Sequence, residues 1–329
     1  MPTLTLPQAE DLVAATLQRC RTGADNARSV ARALVAAEAD GLKGHGLSRV
    51  PSYAAQAKAG KVDGFAAPVL THAGAGVLTI DAAHGFAYPA LELAVAALPE
   101  AARASGIAAA GIRRSHHCGA AGHPVERLAE RGLLALMFAN TPAAMAPWSG
   151  SRGVFGTNPI AFACPLPDRE PIVIDLSLSK VARGNILAAR QRGEQIPEGW
   201  ALDADGRPTT DPTAALAGTM VPLGDAKGTA LALMVELLAA GLTGANYAAE
   251  ASSFLDAEGS ASGTGQLIIA IDPGAFGDGA LARFAALAAS IEQQPGARLP
   301  GTRRLAARRK AAADGLAIGD ALLAEINAC

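Results

Sequence analysis

The sequence lacks the short motifs that reveal most nucleotide-dependent and hydrolytic enzymes. Among its 329 residues there is no Gly-x-Gly-x-x-Gly dinucleotide fingerprint, no Walker A phosphate loop, no His-Glu-x-x-His zinc motif and no Gly-x-Ser-x-Gly nucleophile elbow. The segments nearest to the dinucleotide fingerprint, Gly74-Ala-Gly76 and Gly119-Ala-Ala-Gly122, do not fit it. Function therefore has to be inferred from other constellations of residues.

Several cellular settings are also disfavoured by what is scarce. The four cysteines, Cys20, Cys118, Cys164 and Cys329, lie far apart without a Cys-x-x-Cys pair, which is typical of a reduced protein. A net charge of −2 gives no reason to expect nucleic acid or an anionic membrane as a partner. The N-terminal segment does not resemble a signal peptide, and no apolar run has the length of a membrane-spanning helix. We therefore expect a soluble, cytoplasmic globular protein.

The order of apolar segments predicts an α/β or α+β protein. Hydrophobic residues make up 50% of a chain long enough for two domains. Strands and helices mix without a strict βαβ period, and we expect a helical layer built from both chain ends. The predicted strands are 77–80, 107–112, 133–139, 160–163, 172–174 and 266–271. The predicted helices are two within 7–40, then 47–59, 89–105, 125–131, 177–190, 227–241, 276–293 and 316–326.

A histidine and an arginine stand four residues apart in a glycine-rich patch. His45 lies between two glycines and is followed by Arg49. If this segment is helical, both side chains share one face and can reach one ligand. An arginine fork matches a carboxylate, and a histidine can exchange a proton near neutral pH. A capping histidine beside a surface arginine is the alternative interpretation.

A second patch, Ser115 to His123, holds His116, His117 and Cys118 beside a glycine-rich turn. Adjacent residues point apart and no carboxylate stands at ligand spacing, so we expect no metal site. The patch favours instead one histidine facing a ligand, while the segment 119–122 lets backbone amides approach a phosphate at the next helix start.

Two further segments carry positive charge near turns. Lys227 precedes an apolar helix, where it could meet ligand phosphates or remain solvated. The run Arg298-Leu-Pro-Gly-Thr-Arg-Arg304 could bind a cofactor phosphate or be a solvated basic loop, and in isolation we favour the loop.

Together these segments resemble the malate/L-lactate dehydrogenase family of non-Rossmann NAD(P)-dependent oxidoreductases. The resemblance spans nearly the whole chain and rests on six segments, numbered 44–49, 115–122, 156–162, 196–201, 208–212 and 222–228. Within the family, 38–51 and 298–304 look most like the Δ1-piperideine-2-carboxylate/Δ1-pyrroline-2-carboxylate reductases.

The resemblance implies a homodimer, an active site between domains, and a division into two parts. Residues 1–74 with 296–329 would form a helical substrate and dimerisation domain, and 75–295 a mixed-sheet cofactor domain. His45 matches the family's acid/base histidine, and Asn185 stands where a relay carboxylate is expected. The positions matched to substrate contacts are Arg49, Tyr53, Thr157 and Arg183. The positions matched to cofactor contacts are His117, Cys118, Gly119, Ala120, Ala121, Asp175, Leu176, Ser177, Lys227, Arg298, Pro300, Gly301, Arg303 and Arg304.

Two departures from the family pattern affect the expected chemistry. Gly44 replaces the serine that usually precedes the motif histidine, and Asn185 replaces the relay carboxylate. An imine tolerates this loss better than a ketone, because solvent can protonate its nitrogen before hydride arrives. We therefore expect reduction of a cyclic ketimine carboxylate to L-proline or L-pipecolate. A 2-hydroxy-acid dehydrogenase and a catalytically silent ligand-binding homologue are the alternatives.

The expected cofactor is NADPH, with NADH as the alternative. Arg303 and Arg304 supply positive charge that suits a 2′-phosphate. No metal, nucleic acid or membrane is expected as a partner.

Overall fold

A seven-stranded sheet forms the centre of the computed structural model, which describes residues 1–329. Two small sheets flank it, one of two strands and one of three. The strands are β1 (Thr3–Leu4), β2 (Val69–Gly74), β3 (Val77–Asp81), β4 (Ile107–Ser115), β5 (Leu134–Ala139), β6 (Ile160–Leu166), β7 (Arg169–Leu176), β8 (Ala201–Leu202), β9 (Pro208–Thr209), β10 (Thr219–Met220), β11 (Thr264–Ile271) and β12 (Leu316–Ala317).

Eleven α-helices surround these sheets. They are α1 (Leu6–Arg19), α2 (Ala24–Ala39), α3 (Val50–Ala59), α4 (Ala87–Ser105), α5 (Gly122–Ala129), α6 (Arg183–Arg192), α7 (Pro212–Ala217), α8 (Ala226–Glu236), α9 (Ala280–Glu292), α10 (Thr302–Asp314) and α11 (Asp320–Ala328). No helix is long and apolar enough to cross a membrane.

The order of strands in the large sheet is β2-β3-β4-β11-β5-β6-β7. Only β3 and β4 run parallel; every other neighbouring pair is antiparallel. Strand β11 lies at the centre because nearly all of its side chains are buried, as its continuous apolar run predicts. The sheet is therefore mixed and lacks the parallel order of a doubly wound dinucleotide fold.

The larger hydrophobic core joins the N-terminal helices to one side of the sheet. It contains 51 buried residues, among them Leu17 of α1, Leu34 of α2, Tyr53 of α3 and Ile112 of β4. Leu316 and Ile326 from the C-terminal end belong to the same core. The two chain ends also pair directly, since β1 is antiparallel to β12. A second core of 15 residues forms around Met145, Phe155 and Val235.

Most predicted elements are confirmed, and the differences are missed elements and shifted element ends. Strand β2 was not predicted, because five of its six residues are exposed and no apolar alternation marks them. Helix α6 begins at Arg183 instead of 177, and α5 begins at Gly122 instead of 125. The division at 74/75 stays a prediction, although β2 pairs with β3 across that boundary.

Helix α10 occupies the basic run that the sequence did not assign to any element. Gly301, with φ of +84°, precedes its first turn. The helix packs on α2, so the C-terminal arginines reach the N-terminal part of the chain.

Candidate active site

A cleft of about 820 Å³ joins several segments that the sequence singled out. It lies between the loop after α2, the start of α5, the end of β7 and the loop before α10. The candidate site residues in its wall are His45, Asp175, Leu176, Ser177, Arg298, Pro300, Gly301, Arg303 and Arg304. The cleft therefore brings together candidate residues from three distant parts of the sequence.

The loop that carries His45 is shaped by the buried side chain of Glu38. This carboxylate accepts a hydrogen bond of 3.0 Å from the amide of Leu47 and forms an ion pair with Lys43. A Cβ at Gly46 would lie 2.2 Å from Glu38 Oε2, so only glycine fits there. The loop continues as two short 3₁₀ turns, 43–45 and 47–49, and not as the single helix that would place positions i and i+4 on one face.

His45 is a neutral, weakly held imidazole. Its ring stacks on that of His117, with centroids 5.3 Å apart and an angle of 21° between the planes. Its Nδ1 atom is buried without a hydrogen-bond partner. Burial, followed by the positive charge of Arg49, lowers the pKa of His45 to about 4. At pH 7 this ring can accept a proton but has none to release as an imidazolium.

Arg49 is a cation without an ion-pair partner. Its Nε donates a hydrogen bond of 2.6 Å to the carbonyl oxygen of Gly44, which leaves both terminal nitrogens unbonded. Burial is the main cause of the lowered pKa values of His45 and His117, and the positive charge of Arg49 is the second cause. No carboxylate lies within ion-pair distance of it. The vicinity thus offers an unneutralised guanidinium to an anionic ligand.

The two adjacent histidines have different hydrogen-bond partners, although both rings pack against Phe254. His116 Nε2 lies 3.0 Å from Gln56 Oε1, whereas His117 Nδ1 lies 2.6 Å from the hydroxyl of Tyr53. The ring of Phe254 covers both, at centroid distances of 5.0 and 5.1 Å. Burial lowers the pKa of His116 to about 3 and that of His117 well below its usual value.

The glycine turn after these histidines packs tightly against the protein. Gly119 has φ of +69°, and a Cβ there would lie 2.6 Å from the hydroxyl of Tyr88. Cys118, Ala120 and Ala121 are buried, and burial raises the pKa of the Cys118 thiol to about 12. The thiol is therefore unreactive at neutral pH.

The helix start predicted to receive a phosphate already bonds a carboxylate. The amide of Gly122 donates a hydrogen bond of 2.8 Å to Asp175 Oδ2. This first-turn donor is therefore occupied by the protein's own anion, and the expectation that the amides of 119–122 hold a phosphate has to exclude Gly122.

Eleven candidates lie outside the wall of the cleft: Arg49, Tyr53, His117, Cys118, Gly119, Ala120, Ala121, Thr157, Arg183, Asn185 and Lys227. Thr157 is half-buried, and its amide donates to the hydroxyl of Thr141 at 2.9 Å. Asn185 and Lys227 are exposed in the first turns of α6 and α8. Arg183 is half-buried and has no carboxylate partner, although Nη2 donates to the carbonyl of Leu216 at 3.2 Å. The folded chain thus places some of the predicted site residues in the cleft wall and others outside it.

A buried charge cluster forms one end of the cleft. We define it as Asp40, Glu126, Arg304, Arg308 and His123. Arg308 Nε and Nη2 donate to Asp40 at 2.7 and 2.8 Å, and both terminal nitrogens of Arg304 donate to Glu126 at 2.7 Å. His123 Nε2 lies 2.9 Å from Asp40. Burial alone would raise the pKa of Asp40, but hydrogen bonds from Arg308 and His123 hold it well below its usual value.

This cluster corrects the expectation for Arg304. Its guanidinium is bound to two carboxylates, so it does not offer a free charge to a 2′-phosphate. Arg298 and Arg303 are exposed on the cleft wall without ion-pair partners and remain suitable. Asp40, Glu126, Arg308 and His123 were not among the predicted site residues, because pairing between distant positions leaves no local pattern in the sequence.

The chain belongs to the malate/L-lactate dehydrogenase family, a family of oxidoreductases, and its mixed sheet is not of the Rossmann type. The profile of the family described as Malate/L-lactate dehydrogenase matches residues 4–327. This confirms the family resemblance and the fold class that it implied.

Named relatives are similar over the full length of the chain. A (2R)-3-sulfolactate dehydrogenase (NADP(+)) from Chromohalobacter salexigens is 52% identical over 325 residues, which cover 99% of this chain and 97% of that protein. A Delta(1)-pyrroline-2-carboxylate reductase from Ancylobacter novellus is 41% identical over 329 residues, covering 99% and 96%. The crystal structure of delta1-piperideine-2-carboxylate reductase from Pseudomonas syringae pv. tomato superposes with a TM-score of 0.94 at 38% identity, covering 100% and 99%.

Proposed function

We propose that this protein is an NADPH-dependent reductase of a cyclic ketimine carboxylate. The substrate is Δ1-pyrroline-2-carboxylate or Δ1-piperideine-2-carboxylate, and the product is L-proline or L-pipecolate. The observation that carries the proposal is Arg49, an unpaired cation beside three neutral histidines. The carboxylate on the substrate ring would neutralise Arg49 through two parallel hydrogen bonds, a bidentate contact. The similarity to reductases of both imines supports this substrate class.

The residues around Arg49 suit an imine that arrives already protonated. The nicotinamide, when bound, supplies hydride to the C=N carbon. Arg49 holds the carboxylate, and the imidazole of His45, with a pKa of about 4, does not have to give up a proton. Since Gly44 and Asn185 supply neither hydroxyl nor carboxylate to His45, reduction of a ketone would lack an oriented acid.

The cleft suits NADPH through its own free arginines. Arg298 and Arg303 lie on its wall without ion-pair partners and can bind a 2′-phosphate. The name of the 52% identical relative specifies NADP(+), which supports the same choice. NADH is the weaker alternative, since it would leave these charges without a phosphate.

Oxidation of (2R)-3-sulfolactate is a second candidate, favoured by Arg183 and by the same relative. Sulfolactate carries a sulfonate besides its carboxylate and therefore needs a second cation. Arg183 is half-buried, has no carboxylate partner and directly follows Ala182, which lines the cleft. In the direction of oxidation, the neutral ring of His45 could serve as the base.

We further propose that two copies of the chain pair through the surface around α8. This helix and the turn that follows it are rich in leucine, and Leu233, Leu237 and Leu242 are 47%, 53% and 68% exposed. A groove of about 720 Å³ beside Leu242 adds Val69 and Val77 from strands β2 and β3. A second copy would cover this apolar surface. Light scattering should give twice the monomer mass of 33.0 kDa, and a Leu237→Glu variant should give the monomer mass.

The test of function compares substrates at equal concentration while NADPH absorbance is followed. Rapid oxidation with either cyclic imine, and slow oxidation with sulfopyruvate, pyruvate and oxaloacetate, is expected. Faster oxidation with sulfopyruvate than with both imines would replace the first proposal by the second. Tight NADPH binding without turnover of any of these compounds would contradict both and indicate a silent ligand-binding homologue.

A further inference from the structure

Tyr53 does not line the cleft, and its hydroxyl forms a hydrogen bond with the imidazole of His117. Its side chain is fully buried, and its hydroxyl lies 2.6 Å from His117 Nδ1. The hydroxyl of Tyr88, which is also buried, lies 3.2 Å from the hydroxyl of Tyr53. Three groups thus form one chain from Tyr88 through Tyr53 to the imidazole. The expected direct contact of Tyr53 with the substrate gives way to an indirect role.

The direction of these hydrogen bonds follows from the protonation state of each group and from the partners available to it. Burial raises the pKa of Tyr53 to about 12 and that of Tyr88 well above its usual value, so both phenols keep their hydrogens. Burial lowers the pKa of His117, so its ring is neutral. The buried hydroxyl of Tyr88 has no hydrogen-bond partner other than the Tyr53 hydroxyl, so it donates to the oxygen of Tyr53, and the hydroxyl hydrogen of Tyr53 is then directed to Nδ1 of His117. A neutral ring that accepts at Nδ1 carries its hydrogen on Nε2.

The imidazole of His117 lies beside His45 and close enough to Arg49 for that charge to contribute to its lowered pKa. One face of the ring stacks on His45, and Phe254 covers it from another side. Nε2 has no hydrogen-bond partner in the protein and, unlike the Nδ1 atoms of His45 and His116, is not sealed from solvent. An N–H donor is therefore available on a ring that feels the charge of the unpaired Arg49. A carboxylate can accept from both, since it has about four lone-pair positions.

We propose that Tyr53 and Tyr88 are positioning residues that hold His117 in the Nε2–H tautomer, and that this N–H binds the substrate carboxylate together with Arg49. The inference deepens the proposed function and rests on it only in requiring a carboxylate ligand. Both candidate substrates, the cyclic imine and sulfolactate, have that group.

The tautomer can be measured without any turnover. In protein labelled with ¹⁵N-histidine, NMR distinguishes a ring nitrogen with hydrogen from one without, and a His117→Gln variant identifies this ring among the six histidines. The hydrogen is expected on Nε2 in the wild type and distributed over both nitrogens in Tyr53→Phe. A hydrogen on Nδ1 in the wild type would overturn the proposal. Because this readout needs no substrate, it stands even if the enzyme acts on neither candidate.

Binding of the carboxylate is tested with pyrrole-2-carboxylate, a planar ring acid that cannot accept hydride. Its addition should shift the Nε2–H signal of His117 in the wild type. Tyr53→Phe should weaken its binding by about tenfold, as expected for a misdirected hydrogen bond to a charged group. An unchanged signal, or equal binding to wild type and Tyr53→Phe, would contradict the role in binding.

Kinetics separate positioning from general damage. With the better substrate, Tyr53→Phe should raise the KM by about tenfold with little change in kcat or in the KM of NADPH, and Tyr88→Phe should raise it less. The third tyrosine, Tyr247, is 42% exposed, and Tyr247→Phe is the matched control. A fall in kcat at constant KM would contradict binding of the carboxylate. Thermal unfolding of each variant checks that the fold is kept.

Discussion

The buried charge cluster and the histidine group around Arg49 are opposite solutions for polar groups in a protein interior. In the cluster, Asp40 and Glu126 each bond to both Arg304 and Arg308, so that every charge meets an opposite one. Around Arg49 there is a cation without an anion, and two neighbouring imidazoles have unbonded Nδ1 atoms.

This difference distinguishes groups that maintain the fold from groups that are available to a ligand. Saturated charges hold segments in place, because each bond already has its partner. Unsatisfied polar groups in a buried setting are costly and are retained where a ligand completes them. The cluster joins α2, α5 and α10, whereas the histidine group contains an unpaired cation that can bind an anionic ligand. Substitutions should therefore affect stability at the first region and substrate binding at the second.

Breaking the charge cluster should have the largest effect, and it should be one on stability. Asp40→Asn leaves part of two buried guanidinium groups unpaired, which should lower the free energy of unfolding by about 3 kcal/mol. Denaturation in urea measures this value. Asp11→Asn, which removes an exposed partner of Arg28, is the control and should cost about 1 kcal/mol or less. Equal losses in the two variants would show that the cluster contributes no more than a surface pair.

The same variant gives a test at acid pH. The folded pKa of Asp40 is lowered from 3.8, so its stabilisation is complete above pH 3.8 and is lost as the pH falls through the folded value. The difference in stability between wild type and Asp40→Asn should therefore shrink below pH 3.8. A difference that widens on acidification would contradict the ion pairs.

Removing the unpaired cation should weaken substrate binding without unfolding the protein. Arg49→Ala should raise the KM of the imine by about 100-fold, as expected for loss of a bidentate charged contact, and leave the KM of NADPH nearly unchanged. Arg32→Ala, which removes a surface pair with Glu92, is the matched control. An unchanged KM in Arg49→Ala would refute the assignment of the carboxylate site.

The two regions were not equally visible in the sequence. His45 and Arg49 stand in a short glycine-rich motif, so the resemblance of that motif to the family was enough to select them. The cluster depends on partners such as Asp40 and Arg308, which are 268 positions apart and meet only in the folded chain. A single sequence carries no signal for such a pairing, and a buried arginine looks like a solvated one.

The fold shows the same division between local and distant information. Strand β11 was predicted because its apolar run marks a strand buried on both sides, while the exposed edge strand β2 has no such mark. Likewise, the sequence shows that Tyr53 lies near Arg49 but not that its hydroxyl turns toward His117. Orientation of side chains is decided by tertiary packing.

The neutral histidines should make the protein less stable in mild acid. In the unfolded chain, His45 and His116 bind protons below about pH 6.5. In the folded state their pKa values are lowered to about 4 and about 3, respectively. Stability should therefore fall as the pH drops from 6.5 toward 4, by about 1.4 kcal/mol per pH unit for each histidine. His116→Gln should reduce this slope, whereas His72→Gln, at an exposed position, should not. Equal slopes in all three proteins would contradict neutral burial of His116.

The smallest effect is expected from a substitution that gives His45 a hydroxyl as a hydrogen-bond partner. Gly44 is exposed, and a Cβ there would meet nothing within 4 Å, so Gly44→Ser introduces the serine usual in the family without strain. If His45 lacks only an orienting hydroxyl, kcat/KM with sulfopyruvate or oxaloacetate should rise by about threefold, while the rate with the cyclic imine stays constant. Gly319→Ser, at a similarly open position, is the control. A rise with the imine as well would mean that imine reduction also draws its proton from His45.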